Sequence, residues 1–438
     1  MKFYNREREL AVLSERLRAS KEQAQMTVLM GRRRIGKTEL ARRCGDDRML
    51  YFFVARKAEA LLCRDFAQEV EEKLGLPVGW PESFAQLFRY LLKLSATLPF
   101  TLVIDEFQEF VRISPSVFSE MQREWDLAKD SSRMNLIISG SVFTLMRRIF
   151  EDYHEPLFGR ATQQLVLKPF TTGVLKQILQ DARPDWTGED LLALFCITGG
   201  VPWYVSLLID RGYTCKDRML AYLTEENSPF ITEGKSILIE EFGTDYTIYF
   251  SILTCIAEGQ RSRSEIESSL KNDNIGSYLH KLENYYGLIE KQLPIFAKES
   301  SKKVRYALSD CFLHLWFRFF FKYQSFVAND ALNQLAVVIR RDYDVFSGFQ
   351  LERYFERKLR ESGRYTRIGK FWDRSGENEI DLIAVNELTN TADIYEVKKQ
   401  SKRYVPALLE AKVQELLKQC KELRKMELTL GCLSVADM

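Results

Sequence analysis

The sequence is short of the residues that build metal cages and disulfide frameworks. It has only 3 His, and its 8 Cys are scattered without a C-x-x-C pair. This argues against a zinc centre and against a stapled secreted scaffold. A reducing cytoplasm is the expected compartment. Neither sign of charge is in excess: 63 Lys and Arg face 61 Asp and Glu, for a formal net charge of +2. There is no global basic signature for nucleic acid, so any such site has to be local. Long hydrophobic runs are missing as well. The greasiest stretch, Phe312 to Phe321, is short and carries His314 and Arg318, so it is no membrane span. The opening residues, Met1 to Glu9, are too charged for a signal peptide. No repeat and no low-complexity tract is present. What remains is a globular chain of 438 residues, 46% hydrophobic and 28% charged, long enough for several domains.

The strongest local signal is Gly31-Arg32-Arg33-Arg34-Ile35-Gly36-Lys37-Thr38, which fits G-x-x-x-x-G-K-[ST]. The apolar run Met26 to Met30 precedes it, and the helix formers Glu39 to Arg43 follow, so the loop joins a strand to a helix. Gly31 and Gly36 let the backbone curl its N–H groups toward phosphate oxygens, and the helix N-terminus adds partial positive charge. Lys37 would reach the β- and γ-phosphates of ATP, and Thr38 would offer its hydroxyl to Mg²⁺. The competing reading is a chance glycine-rich turn.

Further on, Phe100-Thr101-Leu102-Val103-Ile104 runs into Asp105-Glu106. A strand of this kind delivers Asp105 to its C-terminal end, where α/β sheets bind ligands. Asp105 is placed to hold Mg²⁺ directly or through water, and Glu106 to polarise the attacking water. A strand ending in a solvated acidic pair is the alternative. Other strands are expected at Met49–Val54, Asn135–Ser141 and Gln164–Leu167, and helices at 6–17, 59–74 and 83–98. Five strands alternating with helices imply a parallel sheet covered on both faces. The gap between the two motifs leaves room for an extra strand. Ser139 and Ser141 sit where a polar side chain senses the γ-phosphate, or they are plain turn formers. Arg160 is either a finger for transferred charge, in cis or from a neighbouring copy of the chain, or a surface arginine.

These segments, Phe3 to Leu10, the loop at 31–38, Leu102 to Phe110, Ile137 to Ser141, Pro156 to Arg160 and Gly199-Gly200-Val201-Pro202, occur in one order. Together they resemble the archaeal-type P-loop ATPase family, an AAA+/STAND-like branch, over about residues 1–240. The resemblance implies that the N-terminal motif packs near the adenine and that the Gly-Gly-x-Pro segment begins a nucleotide-sensing helical lid. Asn5 stands where Gly is more usual in that family.

Residues 169–240 read as the lid, with breaks at Pro184 and Gly199-Gly200 and a linker at 228–234. Residues 245–310 read as a winged helix: helices at 246–257, 264–270 and 275–286, then a β-wing from 288–291 and 305–308 around Lys298, Lys302 and Lys303. The last helix offers Asn272, Asn274, Ser277, Tyr278, His280 and Lys281 to double-stranded DNA; a packing role without DNA is the competing reading. Phe312–Phe321 reads as core or as an interface stripe.

The C-terminal segment carries a second set. A helix opening at Phe349 would hold Glu352. Asp381 lies in the strand around Asn378–Ala384, and Glu396 and Lys398 alternate on the next, sharing one face. Asp381 and Glu396 would hold Mg²⁺, Glu352 would complete its shell, and Lys398 would activate water or stabilise phosphorane charge. An edge strand of alternating charge explains the same spacing. The set resembles the PD-(D/E)xK nuclease superfamily, with Ile380 where that name has Pro; archaeal-type ATPases often end in such a domain. The basic run Lys398–Arg403 either grips phosphate or is solvated. The expected architecture is thus an α/β P-loop ATPase core (1–168) with a five-stranded parallel sheet, a helical lid (169–240), a winged helix (241–312) and linker helices with a restriction-endonuclease-like α/β domain (313–438). The expected function is Mg²⁺-dependent ATP hydrolysis coupled to a DNA-binding or nuclease-like module, in a protein with no membrane partner and an option of self-association. An ATP-driven switch or scaffold whose C-terminal fold binds a protein partner is the alternative.

Overall fold

The apolar runs of the first 168 residues become the centre of a parallel sheet in the computed structural model, which describes residues 1–45, 47–242, 246–373 and 376–438. The chain forms two compact units, residues 5–168 and residues 1–4 with 169–438.

In the first unit the strands are β1 (Gln25–Met30), β2 (Leu50–Phe53), β3 (Phe100–Asp105), β4 (Met134–Ser139) and β5 (Gln163–Val166). Their order across the sheet is β2-β3-β4-β1-β5, and every pairing is parallel. β1, β3 and β4 are buried along their whole length. That is why they read as unbroken apolar runs rather than alternating ones. The strand that fills the sequence gap between the two motifs is β2, at the edge of the sheet, while β4 lies between the two motif strands β1 and β3, whose loops leave the same end of the sheet. The helices are α1 (Glu7–Ala19), α2 (Lys37–Arg42), α3 (Glu59–Leu74), α4 (Phe84–Ser95), α5 (Phe110–Ile113), α6 (Ser116–Ala128) and α7 (Phe143–Glu151). Phe84, Leu87, Phe88, Leu91 and Leu92 give α4 one fully buried stripe, and Ser83 caps it by accepting from the Gln86 N–H at 3.3 Å. Phe52 stacks on Phe66 at 4.3 Å, locking β2 to α3.

The second unit begins with α8 (Thr172–Ala182), α9 (Gly188–Thr198), α10 (Pro202–Ile209), α11 (Lys216–Tyr222) and α12 (Phe230–Phe242). Breaks fall at Pro184 and at Gly199-Gly200 as the sequence suggests. The stretch read as a linker, 228–234, instead enters α12 at Phe230. Next come α13 (Thr247–Ala257), α14 (Arg263–Leu270) and α15 (Gly276–His280), which runs on as a wider π turn to Tyr285. β6 (Ile289–Gln292) and β7 (Arg305–Leu308) pair antiparallel after them. Asp245, at the head of the segment read as a winged helix, lies outside the described residues. Then follow α16 (Cys311–Leu315), whose aromatic continuation to Phe321 is core, α17 (Gln324–Ala328) and α18 (Leu332–Glu361). α18 starts well before Phe349, where a helix was expected to open. A mixed sheet closes the chain: β8 (Arg367–Trp372), β9 (Glu379–Asn386), β10 (Thr391–Val397) and β11 (Glu427–Leu433), in the order β11-β10-β9-β8. β10 and β11 are parallel and the other pairs antiparallel, with α19 (Pro406–Gln419) as the crossover. One hydrophobic core runs through this unit from Phe170 to Met438 and takes in α9, α16 and α18. A smaller one, from Ile295 to Leu423, lies under α19.

The far end of α18 is bolted to the Gly199-Gly200 turn. The Arg357 guanidinium donates to the carbonyls of Gly199 (2.8 Å), Pro169 (3.3 Å) and Phe170. Its Nε donates to Glu361 at 2.9 Å, and Glu361 accepts from the Thr172 N–H at 2.8 Å and hydroxyl at 2.5 Å.

Candidate functional site

The glycine-rich loop has the backbone its residues call for. Gly31, Arg34 and Gly36 have φ of 150°, 70° and 91°. A Cβ on Gly31 would meet the Leu167 carbonyl at 3.0 Å, so the loop closes tightly on β5. Ile35 is buried inside the turn. Lys37, 6% exposed, turns its ammonium back into the loop and donates to the carbonyls of Gly31 (2.7 Å) and Arg32 (3.1 Å). A phosphate would offer this ammonium charge-assisted bonds that neutral carbonyls do not. Arg6 braces the loop from behind: buried, it donates to the Lys168 carbonyl at 2.7 Å and the Ile35 carbonyl at 3.4 Å. Asn5 before it has φ 57°, left-handed backbone that Asn tolerates and Gly adopts freely. That accounts for an Asn at a position where the family favours Gly.

At the end of β3, Asp105 is 4% exposed and surrounded by donors. The Thr38 hydroxyl (2.8 Å) and the Tyr51 phenol (2.5 Å) reach Oδ2. The Ser139 hydroxyl and the Glu106 N–H (3.0 Å) reach Oδ1. Burial pushes this carboxyl up, but the bonds from Ser139, Tyr51, Thr38 and the Glu106 N–H outweigh it, so its pKa lies below the ordinary value. Burial, followed by the Asp105 carboxylate, pushes the Tyr51 phenol well up, so it remains a protonated donor. Thr38 and Asp105 thus present hydroxyl and carboxylate oxygens side by side, the hard donor set that suits Mg²⁺. Glu106 sits in left-handed backbone at φ 55°, and its carboxylate accepts from Ser141 (2.7 Å) and Gln108 (2.5 Å). Ser139 and Ser141, read as sensor candidates, therefore hold the two acids. Arg160 is not brought to this pair: its bonds go to Asp126 of α6 at 3.1 Å and to the Phe158 carbonyl at 2.8 Å.

In the second unit the four C-terminal candidates converge. Glu352 comes from α18, Asp381 from β9, Glu396 from β10 and Lys398 from just beyond it. The Val397 N–H pins Asp381 Oδ2 at 2.8 Å. Burial, then the facing Glu352 and Glu396 carboxylates, push the Asp381 carboxyl up to about 7. Lysines engage the other two acids: Lys370 of β8 donates to Glu352 at 2.5 Å, while Lys398 (2.8 Å) and Lys412 of α19 (3.0 Å) donate to Glu396. Lys399, part of the run read as solvated or phosphate-gripping, pairs with Asp344 (2.7 Å) and Glu189 (3.3 Å). Among the described residues no group of three or more His, Cys, Asp or Glu is arranged to hold a metal ion, and no helix is long and apolar enough to cross a membrane.

Sequence reasoning missed Tyr51, Gln108, Lys370 and Lys412. Lys370 had a faint signal, a charge inside the strand Arg367–Trp372, and Gln108 stands only two positions after Glu106; Tyr51 and Lys412 make contacts distant in sequence with no local mark.

Residues 3–208 match a family described as an ATPase domain predominantly from Archaea, and residues 316–415 match archaeal and bacterial proteins of unknown function. An uncharacterized protein of Methanocaldococcus jannaschii is 30% identical over 413 residues, spanning 90% of this chain and 87% of that one. Among solved structures, a Walker-type ATPase of Pyrococcus abyssi aligns with a TM-score of 0.52 at 20% identity, over 72% of this chain and 96% of that one. The ORC2 protein of Aeropyrum pernix aligns at 0.47 and 16%, over 78% and 96%. The chain belongs to the family of the M. jannaschii protein, and its residues 3–208 match the ATPase domain found predominantly in Archaea: it is an ATP-hydrolysing enzyme.

Proposed function

We propose that ATP turnover in the first unit governs a nuclease-like, DNA-directed module in the second. In this reading the backbone of residues 31–36 cradles the phosphates. Lys37 leaves its two carbonyl partners for the β- and γ-oxygens. Thr38 and Asp105 hold Mg²⁺, which when bound neutralises charge on the phosphates. Glu106, oriented by Ser141 and Gln108, accepts a proton from the attacking water. Arg160 serves as a finger only after leaving Asp126, so its action belongs to an assembled or rearranged state.

The observation that carries the second half is the convergence of Glu352, Asp381, Glu396 and Lys398, with the Asp381 carboxyl pushed up to about 7 by its acidic neighbours. A divalent cation held by Asp381 and Glu396 would relieve that repulsion, and Glu352 would complete its surroundings. Lys398 would stabilise charge developing on a phosphodiester. The helices α13–α15 with the β6–β7 ribbon then act as a winged helix presenting Asn272, Asn274, Ser277, Tyr278, His280 and Lys281 to double-stranded DNA. All 8 cysteines are free, which accords with a reducing cytoplasm.

One observation favours a second reading. Glu352 and Glu396 are each engaged by lysine, so the C-terminal fold also fits a switch that binds a protein partner without cutting. The test is ATPase rate with and without supercoiled plasmid, with the DNA recovered on a gel. Mg²⁺-dependent nicking that disappears in Asp381→Ala supports the nuclease. Turnover with neither cutting nor DNA stimulation refutes it in favour of the switch.

A further inference from the structure

Asp105 has no acceptor capacity to spare. A carboxylate offers about four lone-pair positions, and four donors occupy this one: Ser139 and the Glu106 N–H on Oδ1, Thr38 and Tyr51 on Oδ2. Ser139, Glu106 and Thr38 have places in the nucleotide site already. Tyr51 has none, since it lies on β2, outside both motifs.

Its setting is nonetheless fixed on every side. The Tyr51 N–H donates to the Glu69 carboxylate of α3. The residue pairs with Val103 in the neighbouring strand, two positions before Asp105 and on the same face. The Arg42 guanidinium lies over its ring at 4.9 Å. Arg42 stands one helical turn after Thr38 on α2, so one helix face supplies both the cover for the ring and the hydroxyl beside the phenol.

We propose that Tyr51 is a positioning residue for the divalent cation of the ATPase reaction. Its phenol keeps one position on Asp105 Oδ2 filled and holds the carboxylate in a single orientation. Thr38 is then the donor on that oxygen whose departure opens a place for the cation or for a water bound to it. Without the phenol the carboxylate is free to turn about χ2, and the cation meets an acid that has to be reoriented first. This rests on the placement of Mg²⁺ at Thr38 and Asp105.

The test compares the wild-type chain with Tyr51→Phe and Tyr51→Leu by equilibrium titration with a fluorescent ATP analogue, in EDTA and in millimolar Mg²⁺. Phe retains the ring under Arg42 and loses only the hydroxyl. The expected result is that Tyr51→Phe binds in EDTA within about twofold of wild type, while the affinity gained on adding Mg²⁺ falls about tenfold, the scale of one hydrogen bond to a charged group. The Mg²⁺ concentration for half-maximal turnover rises by a similar factor, and kcat at saturating Mg²⁺ changes by less than about threefold. A Mg²⁺ gain in Tyr51→Phe equal to wild type, with a defect only in Tyr51→Leu, would show that the ring merely packs and overturn the inference. Weakened binding of Tyr51→Phe in EDTA would overturn it too, by placing the effect in the loop. A wild-type chain that gains nothing from Mg²⁺ would refute the cation placement itself, and the inference with it.

Discussion

Replacing Asp381 with Asn should stabilise the protein, and by an amount that grows with pH. Asn keeps the shape and the acceptor for the Val397 N–H but cannot ionise against Glu352 and Glu396. The sign follows from linkage. The folded-state pKa of about 7 lies above the ordinary 3.8, so the folded chain holds its proton longer than the unfolded chain. Stability is therefore lost as pH rises from the unfolded value through the folded one. At pH 5 the cost of ionising in the fold is at most about 1.7 kcal/mol, and at pH 8.5 at most about 4.3 kcal/mol. The advantage of Asp381→Asn over wild type should widen by roughly 2.5 kcal/mol between those conditions, or about 5–10 °C in Tm for a unit of this size. Thermal melts of both chains at the two pH values, without divalent cation, read this directly. A Tm difference that stays constant with pH would show that the facing carboxylates do not set the Asp381 proton affinity. Repeating the melts at pH 8.5 in millimolar Mg²⁺ asks a second question, because a cation at Asp381 and Glu396 should raise the wild-type Tm and leave Asp381→Asn unmoved.

Other outcomes follow from geometry already given. Lys37→Ala should abolish ATP binding in an equilibrium titration, and undiminished affinity would refute the phosphate role of the loop. Glu106→Gln should bind ATP normally and lose turnover by about 10²–10⁴-fold, the usual worth of a positioned base; unchanged turnover would remove Glu106 from the reaction. His314 is half-buried and bonded to Gln350 at 2.9 Å, and desolvation pushes its pKa down to about 3. The folded chain thus holds fewer protons than the unfolded one between that value and about 6.5, so stability should fall as pH drops through this window, and His314→Leu should flatten the slope in urea titrations. Gly234→Ala should cost about 1–3 kcal/mol, because the new Cβ would meet the Trp316 ring at 2.3 Å.

The first unit was legible because its central strands β1, β3 and β4 are covered on both faces, which writes them as plain apolar runs; α3 begins and ends at the residues expected. The second was harder, for reasons visible in single residues. Pro229 and Gly234 look like linker punctuation, yet Gly234 sits inside α12 because Trp316 presses where its side chain would be. α18 hid its length because Val337, Val345 and Phe349 are exposed while Leu335, Ile339, Tyr343 and Phe346 are buried, which blurs the helical period. At the candidate sites, sequence spacing found the acids but not their partners. The donors to Glu106 include Ser141, 35 positions away, and Lys412 reaches Glu396 across 16. Whether Arg160 stands free or is tied to Asp126 is likewise a matter of folding, with no trace in either residue's surroundings.

The bolt between α18 and the Gly199-Gly200 turn has a practical bearing on how the molecule can be dissected. Glu352 and Arg357 are five positions apart on one continuous helix. A fragment beginning at residue 313 would contain all four C-terminal candidates, yet leave the Arg357 guanidinium without the carbonyls of Pro169, Phe170 and Gly199, and Glu361 without Thr172. It would also bare Tyr354, which packs edge-on against Phe195 at 5.3 Å. Inactivity in such a truncation would report a helix torn from its bed, so the shortest piece fit for assaying the Glu352 centre begins at Pro169.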